Sequence, residues 1–206
     1  DDDDVIAGQG TLGLEMLAQD PALDVIVAPI GGGGLLGGLA CAVKELNPRI
    51  AIVGVQTARV PSMIRAMAEG APVKVDAATT IADGIAVRRA GERTLPLIRK
   101  YVDEIVTVEE EEIANAILRL LEGEKMLAEG AGAAALAAVL GRQTAHRGRR
   151  IGVLVCGGNI DVTLLSRIIE RGLVQDGRLV RLRIHLSDHP GALRRLCEVI
   201  EAQKAN

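Results

Sequence analysis

The chain is nearly devoid of aromatic side chains, with one tyrosine (Tyr101) and neither phenylalanine nor tryptophan in 206 residues. Its interior must therefore be packed from valine, isoleucine, leucine and alanine. It offers no ring platform for stacking bases, which argues against RNA recognition. A basic footprint is missing too: the net charge is −3, so nucleic acid is not an expected partner. Cysteines are few and far apart (Cys41, Cys156, Cys197), and their odd number speaks against a disulfide framework and for a reducing, cytoplasmic setting. The three histidines (His146, His185, His189) show no metal-ligand spacing. The chain opens on Asp1-Asp2-Asp3-Asp4 rather than on a basic start and an apolar run, so no signal peptide is expected. One stretch, residues 25–43, is uncharged over 19 residues, near the length that spans a bilayer, but six of them are glycine and Pro29 precedes four of those. A strand, a glycine turn and a helix account for it better, so no membrane partner is expected.

What is present reads as a globular protein. Hydrophobic residues make up 49% and charged residues 25%, and the length suffices for a sizeable core. Short apolar runs alternate with helical patterns. Residues 23–28 read as a buried strand, 31–34 as a turn, and 35–46 as a helix stopped by Asn47-Pro48. Residues 50–55 form a second strand, with a helix over 62–69. Residues 104–108 form a third strand, and 109–121 a helix whose acidic first turn suits its dipole. The alanine-rich segment 125–140 predicts another helix. Residues 151–155 are a fourth strand, ending in a turn at Gly157-Gly158 before a helix over 160–170. Strands apolar on both faces and separated by helices imply an α/β fold with a doubly wound, mainly parallel sheet.

The pattern changes near Asp176-Gly177. Residues 179–186 alternate Val180, Leu182, Ile184 and Leu186 with Arg181, Arg183 and His185, a strand with one wet face as in an antiparallel sheet. Residues 192–203 predict a helix. A lone strand–helix pair cannot bury its apolar sides. Two domains are therefore expected, over residues 1–175 and from 176 to 206, the second only begun.

The informative constellation is Gly31-Gly32-Gly33-Gly34 together with Cys156-Gly157-Gly158-Asn159. Both follow a buried strand and precede a helix, and so lie at the carboxyl edge of the sheet, where open α/β sheets bind ligands. Four successive glycines remove every Cβ, so their N–H groups can converge on an anion at a helix N-terminus. No G-x-x-x-x-G-K-[ST] is present, and Gln56 stands where a dinucleotide-binding strand would end in an acidic residue. The run reads as a phosphate cup in preference to a turn needed only for tight packing.

Four segments carry a resemblance: Pro29-Ile30-Gly31-Gly32-Gly33-Gly34-Leu35-Leu36-Gly37-Gly38, Thr80-Ile81-Ala82-Asp83-Gly84, Glu129-Gly130-Ala131-Gly132 and Cys156-Gly157-Gly158-Asn159. In this order and spacing they resemble the fold type II pyridoxal-phosphate enzymes, the kind with a tryptophan-synthase-beta sheet, in the threonine dehydratase/serine racemase branch. Ala7-Gly8-Gln9-Gly10-Thr11 is similar to that branch's segment just upstream. The resemblance covers about residues 5–172. The tail around Asp188-His189-Pro190-Gly191-Ala192-Leu193 resembles the opening of an ACT domain, an amino-acid-sensing module of ferredoxin-like pattern.

The resemblance implies pyridoxal 5'-phosphate as cofactor, its phosphate held by the backbone of Gly31, Gly32, Gly33, Gly34 and Leu35. Gly84 would lie beside the pyridine ring. Cys156, with Gly157 behind it, takes the position facing the pyridine nitrogen, where a thiol cannot hold a proton as firmly as a carboxylate would. Glu129 matches a glutamate near the cofactor pocket, or it is a solvated residue closing a helix turn. Asp83 reads equally as a cap of the Gly84 turn. The branch's cation ligands are replaced by Gln56, Val60 and Ser62, so no divalent metal site is expected. None of Lys44, Lys74, Lys100, Lys125 and Lys204 stands in the family's Ser-Phe-Lys context, so the cofactor lysine is expected upstream of Asp1, with no catalytic residue inside the chain. The activity implied is β-elimination from threonine or serine to 2-oxobutanoate or pyruvate plus ammonia, by the whole protein and not by this chain alone. An amino-acid effector at the tail and a homo-oligomer are implied too. The rivals are a racemase or synthase on the same fold, and a non-catalytic regulatory piece.

Overall fold

Runs of apolar, largely β-branched residues form the centre of the sheet. In the computed structural model, which describes residues 1–141, 144–180 and 182–203, β1 (Val25–Pro29) is buried throughout and β2 (Ala51–Thr57) at all positions but its first. β3 (Glu104–Val108) and β4 (Ile151–Val153) complete a sheet of order β3-β2-β1-β4. Every pairing is parallel, with Val25 opposite both Ala51 and Ile151. Parallel neighbours need a crossover, and helices supply it on both faces.

Successive side chains of a strand point to opposite faces, and two cores result. Ile26, Ala28 and Ile52 pack with Leu36, Leu39, Val43, Met63 and Ile98. The partners come from α2 (Gly34–Leu46), α3 (Ser62–Glu69) and α4 (Thr94–Tyr101), and α1 (Asp3–Gln19) adds Leu12, Met16 and Leu17. Val25, Val27, Val53 and Val55 face the other way, against Ile113, Ile117, Ala134, Ala138 and Ile168. Those belong to α5 (Glu110–Arg119), α6 (Gly130–Leu140) and α7 (Val162–Gln175). Burying each such branched aliphatic side chain stabilises the fold by about 1.5–3 kcal/mol. The α/β, doubly wound parallel sheet expected from the sequence is the fold observed. Among the described residues no helix is long and apolar enough to cross a membrane, and residues 25–43 divide into β1, a turn and α2.

Two expectations are corrected. The helix expected over 125–140 begins only at Gly130: α5 runs into a π-helical turn, Leu120–Glu124, and Lys125 adopts a left-handed φ of 56°. Gly123 weakens that turn, and the Glu129 N–H donates to the carbonyl of Gly157 at 3.2 Å instead of continuing a helix. The strand expected over 179–186 does not form among the described residues. Val180, Leu182, Ile184 and Leu186 are exposed, and no strand is assigned among the described residues of 173–203 to pair with one here. The chain divides into two compact units, Asp1–Gly172 and Leu173–Asn206. The second contains α8 (Ala192–Ala202), entered through Gly191 at a φ of 85°.

Candidate active site

Beyond β1 the chain turns through three glycines and enters α2 at Gly34. Gly33 has a φ of 99°, and a Cβ there would lie 2.7 Å from Thr94 Oγ1 and 2.8 Å from Met63 Cε. Only glycine satisfies both conditions. The Gly32 carbonyl accepts the Thr94 hydroxyl at 2.6 Å and the Gly91 N–H at 3.1 Å, and the Gly33 carbonyl accepts the Gly37 N–H at 2.8 Å. By contrast, the N–H groups of Gly31, Gly32, Gly33 and Gly34 find no acceptor among the described residues. Such a loop at a helix N-terminus, with the carbonyls of Gly32 and Gly33 committed and four N–H groups without an acceptor among the described residues, can take an anion such as a phosphate monoester.

Gly84 sits in a short 3-10 turn, Asp83–Ile85. Asp83, its first residue, accepts the Gly84 N–H on Oδ1 at 2.9 Å. The segment is pinned from α5: Glu110 accepts the Thr80 hydroxyl at 2.6 Å and the Ile81 N–H at 2.9 Å. A Cβ on Gly84 would come within 2.9 Å of Ala131 Cβ and 3.3 Å of Glu129 Oε1, so the position leaves a Cβ-free surface.

Past β4 comes the second turn. The Asn159 N–H donates to Glu129 Oε2 at 3.0 Å, which places the carboxylate against Gly157 as well. Glu129 is therefore neither free in solvent nor closing a helix. Burial, reinforced by the negative charge of Glu129, pushes the half-buried Cys156 thiol above the ordinary thiol range. It is a neutral, weakly hydrogen-bonding group at neutral pH.

These pieces meet in one cavity of about 280 Å³. Gly31, Gly32, Gly33, Gly34, Leu35, Gly84, Glu129, Cys156 and Gly157, the nine residues singled out in the sequence, all line it. Pro29, Ile30, Leu36, Ile85 and Ala131 line it too, and were missed; their signal was adjacency to the glycine turns. A phosphate fits the unpaired donors and a flat ring fits the surface at Gly84. No lysine lines the cavity among the described residues. Lys44 pairs with Asp103, Lys100 with Tyr101 and Lys125 with the Glu122 carbonyl; Lys74 lies in another groove, and Lys204 is outside the described residues.

The three positions read as departures from a cation site have their oxygens engaged within the protein. Gln56 Oε1 accepts the N–H groups of Met63 and Ile64, both at 3.1 Å. The Val60 carbonyl accepts the Ser62 N–H at 2.9 Å, and Ser62 Oγ donates to the Val87 carbonyl at 2.5 Å.

Comparison with known proteins follows the same lines. The family model described as "Pyridoxal-phosphate dependent enzyme" matches residues 1–157. The L-threonine ammonia-lyase of Thermotoga maritima is 48% identical over 205 residues, which is 100% of this chain and 51% of that protein. That of Geobacter sulfurreducens is 50% identical over 206 residues, again 100% and 51%. The chain thus spans about half the length of the curated relatives it matches. Among solved structures, a threonine deaminase from T.th. superposes with a TM-score of 0.72 at 41% identity, over 76% of this chain and 58% of that one. Maize serine racemase gives 0.73 at 35% identity, over 84% and 54%.

Proposed function

Since the chain belongs to the family of pyridoxal-phosphate dependent enzymes, we propose that it is part of an ammonia-lyase that converts L-threonine to 2-oxobutanoate and ammonia, and L-serine to pyruvate and ammonia. The observation that carries this reading is the convergence of both glycine turns, Gly84 and Glu129 on one cavity. Identity of 48% and 50% to two L-threonine ammonia-lyases, against 35% to a serine racemase, supports elimination over racemisation.

Pyridoxal phosphate, when bound, supplies an electron sink for the pair left at the substrate's α-carbon when its proton departs. The N–H groups of Gly31, Gly32, Gly33, Gly34 and Leu35 would hold its phosphate, and Gly84 would leave room for its ring. Cys156 would face the pyridine nitrogen. As a neutral thiol it does not hold a proton there, which favours loss of the β-hydroxyl over a long-lived carbanion. Glu129 keeps Cys156 and Gly157 in place through the Asn159 N–H. Ile30, Leu36 and Ile85 exclude water from one wall. The lysine that binds the cofactor comes, in this reading, from the remainder of the protein.

The second unit reads as the opening of an ACT-like module that takes an amino-acid effector in a homo-oligomer. Support comes from the Asp188-to-Leu193 pattern and from its compactness apart from residues 1–172. It lies beyond the family match, yet within the region aligned to both ammonia-lyases.

The test uses the full-length protein with pyridoxal phosphate and L-threonine. Stoichiometric 2-oxobutanoate and ammonia are expected, with little D-allothreonine by chiral chromatography. Racemised amino acid as the main product overturns the reading.

A further inference from the structure

We propose that Thr94 is a positioning residue for the phosphate cup, aiming the Gly33 N–H by holding the Gly32 carbonyl. This rests on the reading that Gly31 to Gly34 receive the cofactor phosphate. Thr94 is 2% exposed and opens α4, which is 62 residues further along the chain. Its hydroxyl donates to the Gly32 carbonyl at 2.6 Å, short for an O–H···O bond, while the contact to the Gly91 carbonyl is 3.3 Å. The Gly91 N–H reaches the same Gly32 oxygen at 3.1 Å, so both lone-pair directions of that carbonyl are used.

A peptide unit is planar and, here, trans. The N–H of Gly33 therefore points opposite to the C=O of Gly32. Neither Thr94 nor Gly91 lines the cavity, whereas Gly32 and Gly33 do. Anchoring the carbonyl to the scaffold leaves the N–H on the side of the cavity, where it has no acceptor of its own among the described residues. The need for an anchor follows from the sequence. Four consecutive glycines have the greatest backbone freedom of any tetrapeptide, and freezing them carries the largest entropic cost per residue. A loop left to itself would lose that entropy when the anion binds. Thr94 moves the loss into folding, so the donors are already oriented.

The experiment measures the dissociation constants of pyridoxal phosphate and of pyridoxal, which lacks the phosphate, for the full-length protein by absorbance or fluorescence titration. Thr94→Val keeps the shape and deletes the hydroxyl; Thr94→Ser keeps the hydroxyl. The expected result is a loss of about tenfold in affinity for pyridoxal phosphate in Thr94→Val, the equivalent of one well-placed hydrogen bond. Pyridoxal should bind Thr94→Val and wild type alike, and Thr94→Ser should stay within about twofold of wild type for both. Unequal loss for the two ligands cannot come from general loosening of the fold. If Thr94→Val weakens both ligands equally, or keeps wild-type affinity for both, Thr94 does not position the cup. If Thr94→Ser falls as far as Thr94→Val, the methyl and not the hydroxyl matters, and the proposal is equally lost. Should Thr94→Val fail to fold, Thr94→Ala makes the same comparison. A wild type with no preference for pyridoxal phosphate over pyridoxal would sink the phosphate-cup reading itself, a failure distinct from the others.

Discussion

Glu129 Oε2 accepts the Asn159 N–H at 3.0 Å, so the residue just ahead of α6 ties down the turn that follows β4. Replacing Glu129 by alanine leaves that N–H without its acceptor and frees the Cys156-Gly157 turn. Water can replace the lost acceptor at the exposed Asn159, so the unfolding free energy of the full-length protein should fall by only about 0.5–1.5 kcal/mol, read by urea titration. Glu129→Gln keeps an acceptor and should lose less than half as much. Equal losses in the two variants would show that the charge, and not the hydrogen bond, holds the turn.

The thiol of Cys156 gives a pH-dependent readout. Burial is the larger cause of its raised pKa and the charge of Glu129 the smaller. In a Cys41→Ser, Cys197→Ser background without cofactor, alkylation of Cys156 by iodoacetamide should rise at a higher pH than that of a free cysteine peptide. Glu129→Gln should bring the midpoint down only part of the way. The folded state holds this proton more tightly than the unfolded chain, so stability is full below the ordinary thiol range and declines as pH rises through the folded value. An alkylation midpoint at the peptide's value would contradict the geometry.

Two neighbouring glycines should respond in opposite ways. A Cβ on Gly32 would meet only Val87 Cγ1, at an ordinary 3.6 Å, so Gly32→Asp should change stability by no more than about 1 kcal/mol. Its carboxylate would nevertheless lie against the phosphate, weakening pyridoxal phosphate binding by about a hundredfold or more. Gly33→Ala must accommodate a left-handed φ and contacts below 3 Å with Thr94 and Met63. It should cost about 2–4 kcal/mol of stability. Thermal melts and cofactor titrations of both variants separate the two effects; an unstable Gly32→Asp with a stable Gly33→Ala would reverse the assignment of which glycine serves the fold.

The tail supplies a fourth test. If residues 179–186 become a strand once the rest of an ACT-like module is present, the amides of Leu182, Ile184 and Leu186 should be protected from hydrogen exchange in the full-length protein. In the 206-residue chain they should exchange at the rate of an open coil. Fast exchange in both would rule out a strand there.

Much of the architecture was legible because the physics was local. The β-branched runs of β1, β2 and β3 and the breaks at Asn47-Pro48 and the glycine turns mark elements whose limits nearly coincide with those observed. The nine cavity residues were legible for a related reason: glycine runs at strand ends are rare and lie on one sheet edge in a parallel fold. What stayed hidden depends on distant contacts. α1 carries Gly8, Gly10 and Gly13, a poor helix pattern, yet a Cβ on Gly13 would fall 2.7 Å from Val43 Cγ2 of α2. Gly10 and Gly13 allow two helices to touch, and nothing within α1 announces it. The alanines of 130–140 drew the expected helix too far back, because the bond from Glu129 to Gly157 is invisible in the local sequence. Thr94 carries no local signal of its role, and only the fold brings it to Gly32.

The pairing of β1 with β4 sets the two glycine turns side by side, and it joins parts of the chain far apart: at its base the Arg150 N–H meets Asp24 across 126 residues. Contacts of that span form late in a folding reaction, since the intervening loop must be closed before they return any energy. A cavity lined by both turns is complete only once β1 and β4 have paired, so a ligand that touches both turns favours the completed sheet. Such a ligand does not speed the search for the fold; it slows the escape from it. In the cell, the supply of cofactor would then set how long the finished protein lasts rather than how quickly it is made.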